Sequence, residues 1–399
     1  MKTAARLEHI EPFYVMECAK AAVEIADGPL CDTARGGRPM IFLNIGEPDF
    51  TAAPRVVEAA TRCMAEGRTQ YTQATGTPQL RKAIARWYGQ RFGLDIAAER
   101  IVVTAGASAA LQLITAALVD ESDEVLMPDP SYPCNRHFVA AAGGRAVLLP
   151  AGPEQRFQLD ADAVRAAWGA RTRGVLLASP SNPTGTSIER AQMQRIVECV
   201  RERGGFTLVD EIYLGLSYDD AFGHSALEHG VGHGDDVIAI NSFSKYFGMT
   251  GWRLGWLVLP LSLVPAVEKL AQNLYICASS IAQAAALACF EPESLAEYER
   301  RRAAFRARRD FIVPALERIG LPVPVLPDGA FYAYADVSAH ASSSWDFCFE
   351  LMRRAQVALT PGRDFGHDSG ERYLRLSFAS AMPELHEAAD RLTEVLRRG

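Results

Sequence analysis

Seven short β-rich runs separated by helix-patterned segments occupy residues 98 to 260, and this alternation restricts the fold more than any other feature. The runs are 101–104, 124–127, 146–149, 174–178, 206–209, 237–240 and 255–259. Several are apolar at every position. A strand with one wet face alternates apolar and polar residues, whereas a strand covered on both faces does not. Helical patterns lie between them, as at 107–119 and 189–202. The expected architecture is α/β: a mostly parallel mixed sheet with helices on both faces. Ligands of such sheets bind at the carboxyl ends of the strands. The residues that follow each run are therefore where chemistry is expected.

The last third reads differently. An arginine-rich helix is predicted over 295–316, strand-like pieces at 330–337 and 373–378, and a final helix over 382–398, which together suggest a smaller α+β domain. Arg300, Arg301, Arg302, Arg306, Arg308 and Arg309 resemble a patch for nucleic acid. Glu291, Glu293, Glu297, Glu299 and Asp310 nearly cancel them, so a solvated helix face is the expectation. The balance of 41 basic and 48 acidic residues, a net charge of −7, agrees with no nucleic-acid partner. The eight cysteines are scattered without a Cys-x-x-Cys pair, which points to reduced thiols in a cytoplasm rather than a zinc site. No apolar signal segment opens the chain. The longest apolar stretches, 254–267 and 277–290, carry Pro260, Pro265, Ser279, Ser280 and Gln283 and fall short of the ~20 residues of a membrane helix.

Four strand ends carry candidate chemistry. After 237–240 comes Ser242-Phe243-Ser244-Lys245, with Arg253 eight residues beyond the lysine. Lys245 lies among Phe243, Tyr246, Phe247 and Trp252, which predicts burial. A buried ammonium loses protons more readily, as imine chemistry requires. Ser242, Ser244 and Arg253 suit a phosphate. After 206–209 comes Asp210-Glu211-Ile212-Tyr213; its ordinary reading is a turn, and its functional one is a carboxylate for a protonated ring nitrogen. After 174–177, an Asn182-Pro183 turn places an amide donor near the crevice. After 101–103, Thr104-Ala105-Gly106-Ala107-Ser108 opens a helix whose N-terminus suits an anion.

Together these elements resemble the class I/II aminotransferases, pyridoxal-phosphate (PLP) enzymes of fold type I in the aspartate aminotransferase superfamily. The resemblance runs from Asn44-Ile45-Gly46-Glu47-Pro48 through Tyr71 and Pro130-Ser131-Tyr132-Pro133 to Gly329-Ala330-Phe331-Tyr332 and Tyr373-Leu374-Arg375. It implies pyridoxal 5'-phosphate as cofactor, bound by Lys245 as a Schiff base, and ping-pong transfer of an amino group from an L-amino acid to a 2-oxo acid. It implies that Lys245 moves the substrate Cα proton and that Asp210 keeps the ring nitrogen protonated. Asn182 and Tyr213 then hold the ring oxygen, and Tyr132 stacks on the ring. Ala107, Ser108, Ser242, Ser244 and Arg253 bind the phosphate. Tyr71 reaches the phosphate of a neighbouring subunit, which implies a homodimer. Arg375 grips the substrate carboxylate, helped by Asn182 and the backbone of Gly46. Without the resemblance, Arg375 reads as one half of a surface ion pair with Glu371 or Glu384.

The implied division is a large domain of residues 46–285 and a discontinuous small domain of 1–45 and 286–399. The competing function on the same scaffold is a β-eliminating C–S lyase. A PLP-sensing regulator is remote, because the roughly 40 residues before Asn44 leave little room for a DNA-binding domain. Phe13, Tyr14, Tyr275 and Phe331 are candidates for the substrate side-chain pocket, or alternatively for packing of the N-terminal segment. His224, His229 and His233 have a metal-like spacing but lie in a Gly-rich acidic stretch, so a solvated loop is expected and no metal site.

Overall fold

The computed structural model describes residues 2–397; Met1, Arg398 and Gly399, the outermost positions of the expected small domain, lie outside the described residues. After strand β1 (Ile41–Phe42) the chain lays down β2 (Ile101–Thr104), β3 (Glu124–Asp129), β4 (Arg145–Pro150), β5 (Thr172–Ala178), β6 (Phe206–Asp210), β7 (Val237–Ser242) and β8 (Gly255–Val258). All seven expected runs thus form strands, and β2 to β8 make one sheet of order β2-β8-β7-β6-β5-β3-β4. β8 is antiparallel to both neighbours, and the other pairs are parallel.

Alternation along each strand divides the side chains between two cores. Val175, Leu177, Val209, Ala239, Trp256 and Val258 enter one. Leu176, Leu208, Ile238, Ile240 and Leu257 enter the other. This is why the central runs are apolar throughout. β4 departs from the expectation: it is one of the two sheet edges, its residues are half-buried or exposed, and its apolar run is covered incompletely.

Register brings the chemical ends together. Ala178 stands opposite Asp210, Asp210 opposite Ile240, Ser242 opposite Gly255, and Gly255 opposite Thr104. Because β8 runs backwards, its first residue shares the sheet end at which β2, β5, β6 and β7 finish. The segments after those four strands and the segment before β8 therefore converge on one crevice.

The remainder of the chain closes over that end. β9 (Tyr332–Asp336), β10 (Val357–Ala358), β11 (Thr360–Pro361) and β12 (Tyr373–Ser377) follow. β11, β12 and β9 form an antiparallel sheet, and β10 pairs with β1 in parallel. The helix Tyr14–Ala26 has no side-chain cap from its own N-cap residue. Instead the buried Asp364 carboxylate accepts the backbone N–H groups of Val15 at 2.7 Å and Tyr14 at 3.2 Å. Two free donors at a helix start are thereby met by a negative charge, and the N-terminal helix is tied to the C-terminal third.

The long helix spans Pro292–Arg318, and its arginines are only partly solvated. Arg308 and Arg309 are buried. Arg308 makes a two-pronged pair with Asp49 at 2.8 Å on each arm, and Arg309 reaches the Pro327 carbonyl at 2.8 Å. The expectation of a wholly solvated face is corrected here: these cations lock the helix to distant segments. The last helix, Met382–Leu396, stops short of the anticipated 398, which lies outside the described residues.

Candidate active site

The converging segments enclose a crevice of 700 Å³. Gly46, Ala107, Ser108, Tyr132, Asn182, Asp210, Tyr213, Ser242, Ser244, Lys245, Arg253 and Arg375 all line it. Tyr71 is the exception among the residues singled out from the sequence. It is 80% exposed on the surface of its own chain.

Lys245 follows β7 and sits half-buried on the floor. Its amine donates to the Gly46 carbonyl at 2.6 Å and lies 5.8 Å from the ring centres of both Tyr213 and Phe331. Burial pulls its pKa down to about 8, with Arg375 and Arg253 adding to the effect and Glu47 opposing it. The desolvating rings are not the ones adjacent in sequence. Phe243, Tyr246 and Phe247 turn into the core beside Trp87 and Trp256. Gly46 is required at its position, since a Cβ there would meet the Tyr332 hydroxyl at 2.5 Å.

Asp210 ends β6 with its carboxylate buried. One oxygen accepts the Ile212 N–H at 3.1 Å. Burial raises its pKa to about 6, against the pull of that hydrogen bond and of Lys245. A cation placed beside it would be favoured, because the carboxylate has lost much of its water. Tyr213 shares a 2.8 Å hydrogen bond with Tyr332, a residue to which the sequence reading gave no role. Its sequence signal is the Gly329-Ala330-Phe331-Tyr332 stretch.

At the other end of the crevice, the 13-residue helix Gly106–Leu118 begins two residues after β2. Gly106 has φ +81°, and a Cβ there would meet Arg253 Nη2 at 2.5 Å. Only glycine lets the guanidinium lie against this helix start. Arg253 itself donates to the Thr250 carbonyl at 2.9 Å and weakly to Ser244 Oγ at 3.4 Å. A helix N-terminus, two serines and an arginine form a donor set suited to a phosphate monoester. With an amine of lowered pKa and a buried carboxylate in the same crevice, the residues fit pyridoxal 5'-phosphate.

Arg375 lies on β12 and is 3% exposed, in no pair with Glu371 or Glu384. Nη1 donates to Asn182 Oδ1 at 2.9 Å, and Nη2 to the Asn44 carbonyl at 2.7 Å. Its Nε is buried without a partner among the described residues. A guanidinium held only by neutral oxygens retains its full charge for an incoming carboxylate. Of the four aromatics proposed for a side-chain pocket, only Phe13 lines the crevice, beside Val15, Met16, Ala19 and Ile45. Tyr14 packs on Trp345, Tyr275 bonds Gln112, and Phe331 lies behind Tyr213.

Glu211, next to Asp210, is fully buried outside the crevice. Its oxygens accept Ser225 Oγ at 2.9 Å and the Ala226 N–H at 2.7 Å. Burial raises its pKa to about 8. The folded protein therefore holds this proton more tightly than the unfolded chain, where glutamate titrates near 4.3. This contribution to stability is complete below about pH 4 and is lost as pH rises through about 8. Thermal unfolding from about pH 5 to about pH 8.5 is expected to show a smaller fall in Tm for Glu211→Gln than for the wild type. Parallel curves would contradict this assignment.

The fold and crevice are those of a pyridoxal-phosphate-dependent transaminase. The chain belongs to the family described as aminotransferase class I and II, whose model matches residues 38–392. A valine–pyruvate aminotransferase from Mycobacterium tuberculosis is 37% identical over 383 residues, which cover 96% of each chain. The crystal structure of an aminotransferase from Mycobacterium tuberculosis has a TM-score of 0.92 at 36% identity, with 100% of both chains covered. Aspartate aminotransferase from Thermus thermophilus with maleate has a TM-score of 0.89 at 31% identity, covering 99% of this chain and 100% of that one.

Proposed function

We propose that this aminotransferase takes amino donors with uncharged apolar or aromatic side chains, and that the crevice residues act as the sequence pattern implies. The carrying observation is the make-up of the crevice lining. The buried Arg375 guanidinium borders it together with the apolar side chains of Phe13, Val15, Met16, Ala19 and Ile45, and among the described residues no second arginine apart from Arg253 lines it. The name of the Mycobacterium tuberculosis relative, valine–pyruvate aminotransferase, supports the same substrate class.

Pyridoxal 5'-phosphate, when bound, supplies an aldehyde for the amino group and a ring that withdraws electrons. Ala107, Ser108, Ser242, Ser244 and Arg253 would hold the phosphate. Asp210 would stabilise a protonated ring nitrogen, Asn182 and Tyr213 would hold the ring oxygen, and Tyr132 would pack against the ring. Arg375 binds the α-carboxylate and so fixes the direction of the Cα–H bond. The Lys245 amine, with its pKa near 8, takes and returns that proton at neutral pH.

Residues 46–285 act as the large domain, and 1–45 with 286–399 as a small one that excludes water from the site. The exposed Tyr71 supports a homodimer in which it reaches the partner's phosphate site. Eight unpaired cysteines support a cytoplasmic location. Among the described residues no helix is long and apolar enough to cross a membrane.

A donor panel with pyruvate and 2-oxoglutarate as acceptors tests the substrate class. Valine, leucine or phenylalanine is expected to exceed aspartate in kcat/KM by about tenfold or more, since burying a side chain of this size is worth ~1.5–3 kcal/mol. Preference for aspartate would overturn the reading.

A further inference from the structure

The expectation of a solvated histidine loop is corrected by the structure. His224 is buried and His229 nearly so, while His233 is exposed. Their third neighbour is Glu228 rather than His233. Ser225 and Ala226 are anchored on the Glu211 carboxylate, and the short turn Ala226–Gly230 then brings Glu228 and His229 beside His224. Glu228 Oε1 lies 3.7 Å from His224 Nδ1 and 3.2 Å from His229 Nε2. The three atoms all lie within 4.8 Å of one another. Each is shielded from solvent, and none has a hydrogen-bond partner among the described residues.

Three facing, unpartnered polar atoms shielded from solvent are costly unless something lies between them. The geometry suits a cation. Ligand atoms at ~2.0–2.1 Å from zinc lie about 3.4 Å apart at tetrahedral angles, which compares with the observed 3.2 and 3.7 Å. The tautomer also fits. His224 Nε2 is 3.2 Å from the Ile188 carbonyl, which only accepts, so Nε2 carries the proton and Nδ1 presents its lone pair to the cluster. Burial holds both imidazoles neutral, with pKa values of about 4, and Arg190 and Arg201 nearby act in the same direction. The second Glu228 oxygen is taken by Arg190, while Oε1 has no partner among the described residues. Glu198 is the other charge that acts on His229.

We propose that His224, Glu228 and His229 form a site for a divalent transition metal, zinc by its borderline His and carboxylate preference, remote from the crevice and with water as the fourth ligand. The metal braces the segment that covers Glu211, one residue from Asp210. It takes no part in amino transfer.

The test uses the holoenzyme, stripped with a chelator and dialysed. Zinc is titrated by calorimetry, and cobalt(II) uptake is followed by visible absorption. The expected result is one zinc per chain, a strong tetrahedral cobalt spectrum that zinc abolishes, and a Tm raised by zinc. His229→Ala and Glu228→Gln are expected to weaken zinc by more than the ~10–100-fold that loss of an outer-shell partner costs. Both are expected to keep the cofactor absorbance of the wild type, which reports an intact fold. Should His229→Ala fail to fold, Glu228→Gln, which keeps the shape and removes the charge, decides alone. The proposal is overturned if the wild type takes up no stoichiometric zinc, the three groups then sharing only a proton. Zinc bound equally well by the variants also overturns it, since the metal would then sit on other groups.

Discussion

Lys245→Ala is expected to abolish transamination, with a loss of at least about a thousandfold in kcat, and to remove the visible absorbance of lysine-bound cofactor. Two contributions disappear together. One is the nucleophilic amine, which burial has tuned to a pKa of about 8 so that a useful fraction is neutral at pH 7. The other is the general base, worth ~10²–10⁴-fold by itself. The phosphate donors around Gly106 and Arg253 do not involve the Lys245 side chain. The variant should therefore still bind pyridoxal 5'-phosphate non-covalently, which equilibrium dialysis can measure. Retention of activity would remove Lys245 from the mechanism.

Arg375→Ala is expected to lower kcat/KM for every amino-acid substrate by about 100–1,000-fold, the equivalent of about 3–4 kcal/mol for losing one partner of a buried, hydrogen-bonded charge pair. The loss falls mainly on KM, because the carboxylate is gripped in the ground state as well as the transition state. Arg375 also holds the Asn44 carbonyl and Asn182 Oδ1, so the alanine variant disturbs the crevice wall as well. Arg375→Lys separates the two effects. It keeps a charge but loses the fork, and is expected to recover only part of the activity. Amines that lack a carboxylate should react about equally with wild type and variant. An unchanged KM for amino acids in both variants would return Arg375 to a structural role.

Much of this was legible because the large sheet writes itself into the sequence. Its central strands are buried on both faces and so read as continuous apolar runs, and the residues after them are confined to one end by register. The candidate site residues that follow strands, Asn182, Asp210, Ser242 and Lys245, are therefore expected together at that end. What was not legible depends on contacts between distant segments. No helix or strand is predicted before residue 98, although Pro54 and Pro78 at the first turns of two helices are available signals. The burial of Arg308 is set by Asp49, which lies 259 positions away, and no local pattern reports such a pair. Lys245 was correctly expected to be desolvated but by the wrong rings, because the strand end turns Phe243 inward while β6 and β9 bring Tyr213 and Phe331 from elsewhere. The histidine cluster failed as a prediction for the same reason. A Gly-rich acidic stretch reads as solvated until Glu211 anchors it.

A single amine, Lys245, is proposed to carry the cofactor in this crevice. Borohydride reduction of the holoenzyme followed by peptide mass mapping tests it most directly. The expected result is a single pyridoxyl-phosphate adduct on Lys245, with loss of activity in proportion to labelling. An adduct on another lysine, or full activity after Lys245 is labelled, would contradict it.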